Sequence, residues 1–296
     1  MYILAIETTG PQCSVALVSE DAVGRSSESS GLGPDGGRNS GSGPDGGCRV
    51  LGMESSAEAL SHLRDLVPLT EKLLSRLNVA KSALSHIAVS AGPGSFTGIR
   101  IGVTTARALG QALNLPVIAV PTLDAFAYKE AVCGSAEPVG NVNPVGTSGT
   151  AGVAGPVVCA ILNARRGQVY GKIEGWLPGC PCMLTDVLEL IKSADGPVKK
   201  AGRPVLFFGD GIDAYEGRIL DELGEAGMEL GREFFFAPKE IRYQSADAVG
   251  RLACVLAQAG EGSHYGDVHP DYMRKAEAEQ KLEAGELPIC KLPKQE

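Results

Sequence analysis

The chain has 296 residues, a net charge of −8 and a pI near 5.2, without a Lys/Arg-rich run, which argues against the basic face a protein needs to grip nucleic acid unaided. Its 44% hydrophobic content is that of a globular protein, enough for one large domain or two ordinary ones. No apolar run approaches the roughly 20 residues that span a bilayer, and the N-terminus meets Glu7 too early for a signal peptide.

The eight cysteines, Cys13, Cys48, Cys133, Cys159, Cys180, Cys182, Cys254 and Cys290, are scattered and form no disulfide framework for a chain of this length. Cys180 and Cys182 are one pair with no second pair at zinc-site spacing. The expectation is a soluble, cytoplasmic protein with free thiols and no metal site.

In chain order, the first elements are a short apolar strand over 2–7 that ends on Glu7, a polar turn through Thr8 and Thr9, and a strand over 13–19. Residues 26–47 are Gly/Ser/Pro-rich and read as a solvated insertion, because they cannot bury enough apolar surface to offset their ordering entropy. A strand over 49–53, a helix over 57–77, a buried strand over 87–90, a helix over 97–113 and a strand over 116–121 follow. Residues 134–155 form a second Gly-rich insertion.

The pattern then repeats. An apolar strand over 157–162 ends on Asn163, a turn runs through Arg165 and Arg166, and a strand covers 168–173. A helix near 184–193, a strand over 205–208 that meets Asp210, and a late helix over 246–259 complete this half. Strand, tight turn and strand occurring twice, with helices after each, predicts two related α/β halves with mixed sheets. The expected division is 1–115, 116–262 and a tail over 263–296, the late helix being a candidate to return to the first half.

The most informative segment is Gly92-Pro93-Gly94-Ser95-Phe96-Thr97-Gly98, between a buried strand and a helix. It can be a phosphate or ligand loop built on Gly92, Gly94, Ser95, Thr97 and Gly98, because a helix N-terminus offers free N–H groups to an anion. It can equally be a tight turn into a helix capped by Ser95 or Thr97, the reading composition favours. In the helix after it, Gly98, Gly102, Ala106 and Gly110 recur every fourth residue, so another backbone is expected close by, either the domain's own sheet or a partner's helix. The preceding helix has two apolar stripes, one with Leu60, Leu63, Val67, Leu74 and Leu77, the other with Leu66, Leu69 and Leu73. A helix on an α/β layer needs only one; the second calls for a partner or for burial between sheet and neighbouring helix.

These motifs together resemble the TsaB family. Ile3-Leu4-Ala5-Ile6-Glu7-Thr8, Ser61-His62-Leu63, Gly92 to Gly102, Asn163-Ala164-Arg165-Arg166-Gly167-Gln168-Val169-Tyr170 and Pro270-Asp271-Tyr272-Met273-Arg274 follow that family's order. The resemblance implies an actin-like ATPase (ASKHA) fold of two ribonuclease-H-like halves, each with a mixed five-stranded sheet. It implies a non-catalytic subunit that pairs with TsaD, works with TsaE, and meets tRNA only through that complex, with a homodimer open to the chain alone. The complex uses ATP/ADP; whether this chain binds nucleotide is left open, Glu7, Thr8, Thr9 and Asp210 being the candidate vestigial site. Pairing through first-half helices would use Leu63, Leu66, Leu69 and Leu73 with Gly98, Gly102, Ala106 and Gly110.

Two positions depart from the family pattern: Asn163 and Gln168 stand where carboxylates are usual. TsaD-like proteins hold metal with two histidines four residues apart, whereas His62 is followed four residues on by Leu66. The competing readings are an ATP-dependent kinase-like enzyme, which needs acidic residues from both halves, and a small-anion binding module resting on the glycine loop alone.

Overall fold

The computed structural model describes residues 1–20, 48–59, 61–129 and 155–273. The 26–47 insertion, nearly all of the 134–155 insertion, Leu60, Cys133, Cys290 and the tail from Arg274 lie outside them.

Strand β1 (Tyr2–Glu7) is buried on both faces, which explains its unbroken apolar run. It pairs antiparallel with β2 (Ser14–Glu20), which pairs antiparallel with β3 (Cys48–Ser55). On its other side β1 runs parallel to β4 (His86–Gly92), and β4 to β5 (Val117–Pro121), giving the order β3-β2-β1-β4-β5. The alternation of a strand sends Leu4 and Ile6 to one face and Ile3 and Ala5 to the other. Helices α1 (His62–Arg76) and α2 (Phe96–Leu113) cover the first face through Leu66, Leu73, Ile99, Val103 and Ala106.

The first half therefore extends through Pro121, past the boundary expected after 115, because β5 hydrogen-bonds to β4. Helix α1 begins at His62 rather than at 57, after a turn. A short helix α3 (Thr122–Ala125) leads out of β5.

The second half repeats the plan. Strands β6 (Val157–Asn163), β7 (Gln168–Ile173), β8 (Leu177–Met183), β9 (Val205–Phe208) and β10 (Phe234–Phe236) form a sheet of order β10-β9-β6-β7-β8. With β6 in the place of β1, each pairing has the sense of its first-half counterpart. Helices α4 (Leu184–Lys192) and α6 (Gly211–Glu225) cover one face, with the short α5 (Pro197–Ala201) between them in sequence. On the other face Val158, Ala160, Leu162 and Phe208 pack against Leu123 and Phe126, which joins the halves through a shared apolar layer.

Helix α7 (Ala246–Gln258) packs back on the first sheet, with Ala246, Val249 and Ala253 against Ile3, Ala5, Ala16 and Val18. Here the expectation of free thiols is corrected: Cys48 of β3 and Cys254 of α7 are joined by a disulfide, with their Cα atoms 6.4 Å apart. Residues 206 positions apart in sequence meet because α7 crosses the sheet to its β3 edge. Cys13, Cys159, Cys180 and Cys182 are free.

Candidate functional site

Glu7 ends β1 in the middle of the molecule, fully buried. Its carboxylate accepts hydrogen bonds from the Thr9 N–H at 2.5 Å, from Thr9 Oγ1 at 2.7 Å and from Ser90 Oγ at the end of β4. Burial pushes its pKa up, opposed by these three donors and by the charge of Lys129. Lys129 is itself buried and donates to Ser245 Oγ at 2.8 Å, just before α7. Its pKa is drawn down to about 8 by burial, against the attraction of Asp247 and Glu7. With Thr122, Gln244 and Ser245 these two residues line a cavity of about 10 Å³, the size of one water molecule.

The lysine makes stability depend on pH. The unfolded chain holds this proton up to its ordinary pKa of 10.5, the folded chain only to about 8. Between those values the unfolded state binds more protons, so stability rises with pH and is lost again as pH falls through 8. The shift corresponds to roughly 3 kcal/mol. Urea titrations across that window should show the native protein gaining stability relative to Lys129→Met. The same pH response in both proteins would contradict the buried site.

The glycine segment is filled by the chain itself. Ser95 caps α2, its Oγ accepting the Gly98 N–H at 3.3 Å, while Ser95 N–H donates to the Thr9 carbonyl at 2.9 Å. Thr8 Oγ1 donates to the Gly98 carbonyl at 2.8 Å. A Cβ on Gly98 would overlap the Thr8 carbonyl oxygen, and one on Gly94 would meet Thr9. Thr8 and Thr9 thus pack directly against Gly94 and Gly98, and Thr97 is exposed. Gly92, at φ +127°, leaves room for the Asp271 carbonyl, and Asp271 N–H donates to Ala91 O at 2.7 Å. Just beyond, Tyr272 stacks on Phe96 and accepts from Arg100 Nε at 2.9 Å. The geometry is that of a capped turn.

In the second half, Asn163 stands where β1 has Glu7. Its Oδ1 accepts from Arg165 N–H at 2.8 Å and Tyr215 OH at 3.1 Å. Asp210 Oδ1 accepts the Asn163 N–H at 3.0 Å, and burial raises its pKa. Glu7, Thr8 and Thr9 thus meet the glycine turn, while the hydrogen bonds of Asp210 stay inside its own half. Among the described residues, no three His, Cys, Asp or Glu side chains lie close enough to hold a metal ion, and no helix is long and apolar enough to cross a membrane.

The helix stripes are divided differently from the sequence expectation. Leu66 and Leu73 are 2% and 0% exposed, and Leu69 packs against the same core, so these three cover the chain's own sheet. Gly98, Gly102, Ala106 and Gly110 are buried too: a Cβ on Gly102 would overlap Thr8 Oγ1, and one on Gly110 would meet Val117. This stripe is the close approach of α2 to its own sheet, not to another chain. Of the eight residues assigned to an interface, Leu63 alone stays outside, at 80% exposure, with Val67 at 52% one turn on. Sequence reasoning placed Val67 in an apolar stripe of this helix but not among the interface residues, and it missed Ser90, Lys129, Gln244 and Ser245.

Two mixed sheets in one strand order, joined through a shared apolar layer and capped by a helix that returns to the first, define an α/β protein of the actin-like ATPase fold. Two solved structures from Pseudomonas aeruginosa share it: "YeaZ", with a TM-score of 0.58 at 24% identity, and a protein "with similarity to peptidase YEAZ", at 0.59 and 22%. Each likeness covers 92% of this chain and 99% of the other. The family model described as "TsaD: tRNA N6-adenosine threonylcarbamoyltransferase" matches residues 55–174. The "tRNA threonylcarbamoyladenosine biosynthesis protein TsaB" of Bacillus subtilis (strain 168) is 30% identical over 297 aligned residues, covering 95% of this chain and 97% of that one. Its Escherichia coli (strain K12) namesake is 30% identical over 127 residues, 43% of each chain. The chain belongs to the TsaB family.

Proposed function

We propose that this chain is a non-catalytic subunit in the synthesis of threonylcarbamoyladenosine on tRNA, pairing with a TsaD-type transferase and working with the ATPase TsaE. The observation that carries this is its likeness to the Bacillus TsaB along nearly the whole length of both chains. The occupied carboxylates support a non-catalytic role. Glu7 is committed to Thr9 and Ser90, Asp210 to Asn163, and the cavity beside Glu7 has room for one water. In this reading nucleotide turnover belongs to the complex, tRNA is met through the partner, and the cytoplasm is the site of action. A kinase-like activity is disfavoured because Asn163 replaces the second carboxylate. Transfer to tRNA should require TsaD, this chain and TsaE together; turnover by the isolated chain would refute the proposal.

The pairing face in this proposal is the outer side of α1, where Leu63 and Val67 stand exposed beside Pro68. Alone, the chain would pair with a second copy through the same face. The double change Leu63→Asp, Val67→Asp should weaken TsaD affinity about 10- to 100-fold, as expected for two apolar interface side chains. The melting temperature should hardly move, because neither side chain is in the core. Unchanged affinity in a folded variant would place the interface elsewhere.

A further inference from the structure

We infer that Cys48 and Cys254 form a reversible redox clamp that fastens α7 to the edge of the first sheet. Three observations carry it. The two cysteines are bonded across elements that are remote in sequence, β3 and α7, and not within one hairpin. Both sulfurs lie in the apolar layer of Ile3, Ala16, Val18, Val249 and Ala253, so the reduced pair also fits there as two small apolar side chains. A second tie, from Gln258 Nε2 to Glu20 Oε1 at 3.2 Å, holds the end of the same helix to the end of β2, so the thiols stay neighbours when the bond is open.

The two ends differ in access. Cys254 is 0% exposed, in the interior of α7; Cys48 is 5% exposed, and it is the first residue of a strand paired on one side only, opposite Glu20. Fraying one end of β3 uncovers Cys48, whereas uncovering Cys254 requires α7 to leave the sheet. In the exchange, the Cys48 thiolate attacks one sulfur of a low-molecular-weight disulfide such as oxidised glutathione and releases one thiolate. The Cys254 thiolate then attacks the Cys48 sulfur of the mixed disulfide, closes the protein disulfide and releases the second thiolate. The two protons of the protein thiols end on the two released thiolates, and the small disulfide gains the two electrons the protein loses. Excess dithiol reverses both steps.

The clamp closes a loop that contains the whole second sheet, and a long closed loop restricts the unfolded chain strongly. It also fixes the helix next to which Ser245 holds Lys129, so the inter-half site depends on it. The test uses the full chain, equilibrated with either oxidised glutathione or excess dithiothreitol, then denatured and alkylated. After oxidation six of the eight thiols should react, with Cys48 and Cys254 recovered in one linked peptide; after reduction all eight should react. The oxidised protein should melt about 5–10 °C higher than the reduced one. Cys48→Ala with Cys254→Ala should melt near the reduced protein and ignore the oxidant. Eight reactive thiols after oxidation, a linked pair that involves Cys180 and Cys182 instead, or equal melting of both forms would overturn the clamp. The comparison of oxidised and reduced native chain needs no substitution, so a double variant that fails to fold leaves the test intact.

Discussion

Leu66→Asp is expected to abolish folding, not merely to weaken pairing. Leu66 touches the core between α1 and the first sheet and is 2% exposed. The change removes a buried leucine and places a carboxylate in the apolar layer between α1 and the sheet. The loss is about 5 kcal/mol or more, against a typical total stability of about 5–15 kcal/mol. Circular dichroism and urea melts should show little cooperative structure, while Leu63→Asp, one turn away on the same helix, should melt like the native protein. Gly102→Leu should join the first group, because its side chain would meet Thr8 and Val89. A folded Leu66→Asp chain that fails only in binding would mean that α1 is turned differently on the sheet.

The second large effect is at Glu7. Glu7→Ala leaves the Thr9 N–H, Thr9 hydroxyl and Ser90 hydroxyl without their shared acceptor, all of them buried. Each of the three orphaned buried donors costs about 1–3 kcal/mol, so destabilisation of about 3–9 kcal/mol is expected. Glu7→Gln keeps an acceptor for Thr9, and its amide can donate to Ser90 Oγ, so it should cost about 1 kcal/mol or less. In Glu7→Gln the Lys129 ammonium also loses an attracting carboxylate, and its pKa should fall below about 8. Urea melts of both variants and an NMR titration of Lys129 measure these effects. Equal stability of the alanine and glutamine variants would show that the carboxylate is not the hub of this network.

Much of the architecture was legible because the strand pattern states it directly. Ile3, Leu4, Ala5 and Ile6 are apolar without alternation, as a strand covered on both faces must be, and β6 repeats this before Asn163. The repeated strand, turn and strand was enough to propose two related halves. Other elements carried little signal. In β8, Pro178, Gly179 and Pro181 hide a strand that forms because β7 offers it a ladder, with Gly171 opposite Cys180. Strand β10 is three phenylalanines on the open edge of β9, and α6 spreads Ile212, Ile219 and Leu223 thinly over four turns.

For the site, the sequence singled out Glu7, Thr8, Thr9 and the glycine turn, which the structure brings together. It could not identify Ser90, Lys129 or Ser245, whose chemistry comes from lying beside one another after the halves have closed. By itself the sequence determined the composition of each helix face: two apolar stripes on α1, one smooth stripe on α2. Only the tertiary structure decided which stripe is inside, because the rotation of a helix about its axis is set by the surface it packs on. Leu66 and Leu73 meet Leu4, Ile6 and Leu17, and Gly98 and Gly102 admit Thr8. The same holds for Cys48 and Cys254, which spacing alone could not pair: their meeting depends on where α7 crosses the sheet, a long-range contact that no local pattern records.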